Sequence, residues 1–123
     1  MAKAVGIGGL FFRAADPQAL AQWYETHLGV TEMSKGVWQQ ERGPTIIAPY
    51  PVSSDYLGSQ DQKWMLNFRV DDLDGLIGNL QAAGVAVETS DEWNSYVGRF
   101  ARIHDPEGNP IELWEPTDQS SWQ

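Results

Sequence analysis

The sequence contains no cysteine in 123 residues. Disulfides, thiolate metal sites and a cysteine nucleophile are therefore excluded. Histidine is nearly as scarce. His27 and His104 are the two imidazoles, so a centre built from several of them is not available within one chain. Cations are few as well: eight Lys+Arg stand against 17 Asp+Glu, a net charge of −9. A surface this acidic repels phosphate backbones and anionic lipid, so neither nucleic acid nor a membrane is expected as a partner. No apolar run approaches the roughly 18 residues of a membrane-spanning helix. The opening Met1-Ala2-Lys3-Ala4 lacks the uninterrupted apolar stretch of a signal peptide. A cytoplasmic location is the expectation.

What is present suits a globular chain. Apolar residues make up 41% and charged residues 20%. The length fits one domain, or two small halves sharing one core, and roughly two-thirds of the unfolded surface should be buried.

The two halves repeat. A strand is expected from about Val5 to Ala14. Asp16 then reads as a helix N-cap with Pro17 at the first helical position. Leu20, Trp23, Tyr24, His27 and Leu28 form one apolar stripe, and Gly29 stops the helix. The pattern returns with a strand over Trp64–Val70, a cap at Asp72, a stripe of Leu73, Leu76, Ile77 and Leu80, and a stop at Gly84. Phe12-Arg13-x-x-Asp16 matches Phe68-Arg69-x-x-Asp72 at an offset of 56. Strand-like segments follow each helix: Val30–Met33, Gly36–Gln40 and Thr45–Ala48, then Val85–Glu88, Tyr96–His104 and Pro110–Trp114. Gly43, Ile46 and Pro51 lie over Gly108, Ile111 and Pro116 at an offset of 65. The chain thus reads as two β-α-β-β-β modules, about 4–51 and 63–116. Residues 52–62 (VSSDYLGSQDQ) are polar and turn-rich and read as a linker; 117–123 read as a tail. A helix covers one face of each module's sheet. The other faces need cover, and two such sheets enclose a cleft.

These features resemble the vicinal-oxygen-chelate superfamily, which includes glyoxalase I, extradiol ring-cleaving dioxygenases, fosfomycin-modifying enzymes and bleomycin-resistance proteins. The resemblance spans about residues 5–116. It rests on Phe-Arg-x-x-Asp-Pro with a helix ending His27-Leu28-Gly29, on Asn67-Phe-Arg-Val-Asp-Asp-Leu73, and on Asp105-Pro-Glu-Gly-Asn-Pro-Ile-Glu-Leu113. It implies an α+β fold whose modules form a curved mixed sheet around a cleft, and a homodimer. It does not imply one reaction, because the fold hosts many. Metal-dependent members place four donors on the cleft face, and here those positions read Gly9, Ile47, Met65 and Glu112. One carboxylate does not make the three or four N/O donors that a transition metal needs. No functional metal and no cofactor are therefore expected.

Strand alternation, with facing taken from the resemblance, directs other groups into the cleft. From the first strands come Phe11 and Arg13, with Asn67 and Arg69 as counterparts and Met65 two residues earlier. Trp38 and Gln40 follow from the third. Phe100, Arg102 and His104 share a face of the seventh strand; Glu112 and Trp114 share a face of the eighth. Each has a structural alternative. Glu112 can serve as a proton-transfer group if desolvated among Trp114, Phe100 and Met65, or can pair with Arg102. Arg102 can instead hold an anionic ligand group. His104 is a candidate acid–base group or a turn-bonding surface residue. His27 suits the negative end of its helix. Of the tryptophans, Trp23 reads as core, Trp64 faces away from the cleft and Trp122 is in the tail. Trp38, Trp93 and Trp114 are candidates for stacking or for packing. Arg13 and Arg69 are expected to pair with acids at the sheet edge.

Three functions compete. The first is a metal-independent small-molecule binder of the bleomycin-resistance type, taking a planar or cationic compound. The second is a metal-free lyase or isomerase with Glu112 as general base, assisted by Arg102 or His104. The third is a metal-dependent lactoylglutathione lyase or ring-cleaving dioxygenase.

Overall fold

Asp16 caps the first helix as its spacing predicts. In the computed structural model, which describes residues 2–30 and 37–117, its carboxylate accepts from the Ala19 N–H at 3.1 Å. Helix α1 runs Pro17–Leu28 and ends at Gly29, whose φ of 68° is the left-handed region that favours glycine. Asp72 repeats the cap, accepting from Gly75 N–H at 3.0 Å, and α2 runs Leu73–Ala82. The Glu115 carboxylate adds a second acceptor at this N-terminus, 2.9 Å from the Leu73 N–H.

Three strands form one sheet: β1 Leu66–Arg69, β2 Gly98–His104 and β3 Pro110–Pro116. The order is β1-β3-β2, with β1 parallel and β2 antiparallel to β3. The Asp105–Asn109 turn joins β2 to β3; Gly108 N–H donates to Asp105 O at 2.9 Å, with Gly108 at φ 83°. Glu88 exchanges two backbone hydrogen bonds with Arg102 at 2.9 and 2.8 Å. The expected strand at Val85–Glu88 is thus a single bridge on the outer side of β2. The second half therefore runs strand, helix, bridge, strand, strand, one strand short of the expected β-α-β-β-β order.

Period-two alternation gives this sheet two faces. Leu66, Phe68, Ala101, Ile103, Ile111 and Leu113 face the helices. Ala101, Ile103, Ile111 and Leu113 join Leu20 and Tyr24 of α1 and Leu73 and Leu80 of α2 in one core. The helix from the first half therefore packs on the sheet of the second. Tyr24 is fully buried, and its hydroxyl donates to the buried Asp105 carboxylate at 2.8 Å. Burial and this anionic neighbour push the Tyr24 phenol well above its ordinary pKa.

The first half departs from expectation. Among the described residues, none before Leu66 pairs in a strand. Gly6, Gly8 and Gly9 give the Val5–Ala14 segment little to pack and much entropy to lose on straightening. A strand also needs a partner ladder, and Phe11 stays 96% exposed. Thr45–Ala48 is likewise unpaired, with Ile46 and Ile47 exposed. All but Val30 of the strand expected at Val30–Met33, the start of Gly36–Gln40 and Trp122 fall outside the described residues. Arg69 also departs from its expected acid partner. Its guanidinium donates to the carbonyls of Pro44 and of Glu41, the latter at 2.9 Å. The backbone carbonyls at Glu41 and Pro44 serve as its acceptors, so Arg69 ties that segment to β1.

Candidate functional site

The sheet face away from the helices carries the chemistry. Strand register sets Asn67 beside Glu112 and Glu112 beside Arg102, one polar row across β1, β3 and β2. The next row is Arg69, Trp114 and Phe100. Phe100 and Trp114 lie parallel, centroids 6.2 Å apart and planes 4° from each other. Trp114 is only 3% exposed, and its indole N–H donates to Val97 O at 3.0 Å. Its ring is therefore a fixed floor with one edge pinned.

Both Glu112 oxygens are engaged. Oε1 accepts from Asn67 Nδ2 at 2.7 Å, and Oε2 accepts from the Tyr56 hydroxyl. Arg102 turns away from Glu112: Nη2 donates to the Tyr56 carbonyl at 2.6 Å and lies 3.8 Å from Met65 Sδ. The guanidinium carbon sits 4.6 Å from the Tyr56 ring centroid and 5.5 Å from that of Trp93. Tyr50 stacks on the Tyr56 ring at 5.6 Å. Burial and the hydrogen bond to Glu112 push the Tyr56 phenol well above its usual pKa.

Beside this cluster runs a broad groove of about 1650 Å³. Its walls include Phe11, Trp38, Met65, Asn67 and Trp114. The expected residues thus fall into two groups. Asn67, Arg102, Glu112, Phe100, Trp114 and Met65 gather at the open face. Phe11 is on the groove rim and almost wholly exposed, and Trp38 leans on Phe68 with centroids 6.0 Å apart. His104 shares the face of Arg102 but pairs with Pro110, about 7 Å along the strand from the Glu112 row, and is exposed. Trp64, expected to face away from the cleft, has its ring 5.3 Å from Phe12 and also lines the groove.

A family model described as a glyoxalase-like domain matches residues 9–114. The chain belongs to the glyoxalase-like family. That membership bears out the vicinal-oxygen-chelate resemblance read from its motifs. Three solved structures are similar to this glyoxalase-like chain. A glyoxalase/bleomycin resistance protein from Streptomyces sp. CB03234 is 42% identical over 41% of this chain and 42% of its own, with a TM-score of 0.37. The chain therefore spans less than half the length of that relative. TnmS3, an antibiotic binding protein from Streptomyces sp. CB03234, is 23% identical over 94% of this chain and all of its own, with a TM-score of 0.57. It shares the fold. The oxidase ChaP-H2 is 17% identical over 85% of this chain and 87% of its own, with a TM-score of 0.45. No curated protein matches the chain.

The metal-binding members of the superfamily invite a test of fit. Of the four donor positions, Gly9 and Ile47 offer no side-chain donor, and the Met65 thioether is in contact with a cationic guanidinium. Glu112 has both oxygens committed to Asn67 and Tyr56. Among the described residues, no three His, Asp or Glu side chains gather. These residues do not fit a divalent ion, and no chemical step is routed through one.

Tyr56 joins the candidate site although no pattern in the sequence singles it out. It lies in the segment that reads as a linker, whose turns, Pro51 to Ser54, Asp55 to Gly58 and Ser59 to Gln62, are present. The available signal was an aromatic residue inside an otherwise polar stretch, the kind of loop residue that often serves a site.

Proposed function

We propose that this glyoxalase-like chain is a metal-independent binder of a small planar or cationic organic molecule, held in the cleft on the open face of its second-half sheet. The observation that carries the reading is the juxtaposition of one polar row, Asn67–Glu112–Arg102, with the parallel Phe100–Trp114 pair beside a groove. Aromatic walls with a few oriented polar groups are what an organic ligand requires. The donor set, with a single carboxylate, supports binding rather than Lewis-acid chemistry. Both Glu112 oxygens already accept hydrogen bonds and His104 is a strand repeat away, which favours binding over proton transfer by this pair. Pairing with a second copy belongs to the same proposal: Val5, Phe11, Ile47 and Val52 stay exposed, an apolar set a second copy would cover.

Tryptophan fluorescence tests the reading. Trp93 stands beside Arg102 and Trp114 floors the open face, so a planar ligand bound there should change their emission. Titration with a panel of neutral and cationic planar aromatics should give saturable quenching, with at least one dissociation constant in the micromolar range, about −8 kcal/mol. A Trp93→Phe variant should lose much of the change while another probe of binding still reports saturation. No saturable change with any compound, at concentrations up to about 1 mM, would remove the proposal.

A further inference from the structure

Tyr56 holds the position that a bound phenol would take. Its hydroxyl donates to Glu112 Oε2. One side of its ring meets Tyr50, with planes 15° apart, and the Arg102 guanidinium also lies over the ring. The slot therefore combines a carboxylate acceptor, an aromatic partner and a cation on a π-face. Together these recognise a planar aromatic ring with an O–H donor.

The residue that fills the slot comes from a segment whose backbone hydrogen bonds are local. Residues 51–62 bond locally through turns: Ser54 N–H to Pro51 O, Gly58 N–H to Asp55 O and Gln62 N–H to Ser59 O. The long-range hydrogen bonds of Tyr56 are the Glu112 contact and the one its carbonyl receives from Arg102. Ser54 and Leu57, on either side of Tyr56, line the groove, as do Asn67 and Trp114 beside Glu112. Glu112 is not among those walls; Tyr56 occupies its outward oxygen.

We infer that Tyr56 is an internal occupant of a phenol slot, and that the cleft takes a planar aromatic ligand carrying a phenolic hydroxyl, which displaces Tyr56, donates to Glu112 and lies against Tyr50 and Arg102. This rests on the cleft-binding reading and narrows it from planar or cationic compounds to phenolic ones. The guanidinium over the ring position disfavours a cation there and favours an electron-rich ring. Exchange of one phenol for another leaves the hydrogen-bond count unchanged. Selectivity for the ligand then comes from the larger ring system reaching the groove. The resident side chain lowers apparent affinity by the fraction of time it holds the slot.

The test compares 2-naphthol with 2-methylnaphthalene, two planar compounds of similar shape, one with the hydroxyl and one without. Wild-type protein should bind 2-naphthol about tenfold more tightly than 2-methylnaphthalene. Tyr56→Ala should raise 2-naphthol affinity about fivefold or more by vacating the slot. Tyr56→Phe, which keeps the ring and the fold, should raise it by a smaller factor. Glu112→Gln should lower 2-naphthol affinity about tenfold and leave 2-methylnaphthalene within about twofold, since the charge-assisted acceptor is lost. Equal affinity of wild type for the two compounds would overturn the phenol slot while leaving the cleft reading intact. Weaker 2-naphthol binding in both Tyr56 variants would also overturn it, making Tyr56 a wall rather than a competitor. Binding of neither compound to any variant would overturn both readings together.

Discussion

Asp105→Ala should destabilise the protein by about 3 kcal/mol, seen as a lower urea midpoint with an unchanged slope. Asp105 is 4% exposed and accepts four hydrogen bonds. The Glu107 and Asn109 N–H groups, at 2.9 and 3.0 Å, shape the turn between β2 and β3. Asn109 Nδ2 and the Tyr24 hydroxyl, both at 2.8 Å, close the other oxygen. Water can replace the carboxylate at the exposed Glu107 N–H. It does not reach the fully buried Tyr24, so that hydroxyl would be left unpaired in the core at about 1–3 kcal/mol. The turn itself would loosen as well. It also anchors α1, because Glu107 accepts from the Ala15 and Asp16 N–H groups at 2.6 and 3.0 Å. Tyr24→Phe removes one donor and leaves Asp105 three, so it should cost only about 1 kcal/mol. An Asp105→Ala cost below that of Tyr24→Phe would show that the turn does not depend on this carboxylate.

Gly98→Ala should cost a similar amount, about 3 kcal/mol, and should disturb the candidate site as well as the fold. Gly98 has φ 145°, a region an L side chain rarely adopts. A Cβ there would collide with the Glu115 carbonyl and stand 2.6 Å from Trp114 Nε1. The carbonyl is backbone of β3 and has no rotamer to yield. The indole is the floor of the aromatic pair, pinned to Val97 O next in the chain. Relief therefore requires moving either the strand pair or the tryptophan. The expected readout is a lower melting temperature together with altered tryptophan emission. Unchanged emission with full stability would contradict the packing described around Trp114.

Both helices were legible because their signals are local. The Asp16 and Asp72 caps, the apolar stripes and Gly29 act within a few residues, and each formed as read. The polar row was legible for a related reason. Alternation fixes parity along each strand, the resemblance supplied which parity faces the cleft, and the observed register sets Asn67, Glu112 and Arg102 in one row. Strands in the first half were not legible from pattern alone, since alternation marks a capable segment but a strand needs a partner. Tyr56 reaches Glu112 across 56 residues and Arg102 across 46, from a segment with no periodicity. Tyr24 meets Asp105 across 81. Contacts of this length depend on how elements dock, and nothing local records them.

The same docking explains why the first-half helix shares a core with the second-half sheet. Among the described residues, Leu20 and Tyr24 have no paired strands of their own half to cover, and Ile103, Ile111 and Leu113 offer an apolar surface. Burial of Tyr24 follows, and Asp105 supplies the acceptor its hydroxyl then needs.

A crystal structure of the protein grown with saturating 2-naphthol tests the central claim most directly. The expected result is ring density on the open sheet face beside Glu112, within hydrogen-bond reach of its carboxylate, with the Phe100–Trp114 pair in place. A well-occupied metal ion held by Glu112 and at least two other protein side chains, or a naphthol bound only away from this face, would contradict the account.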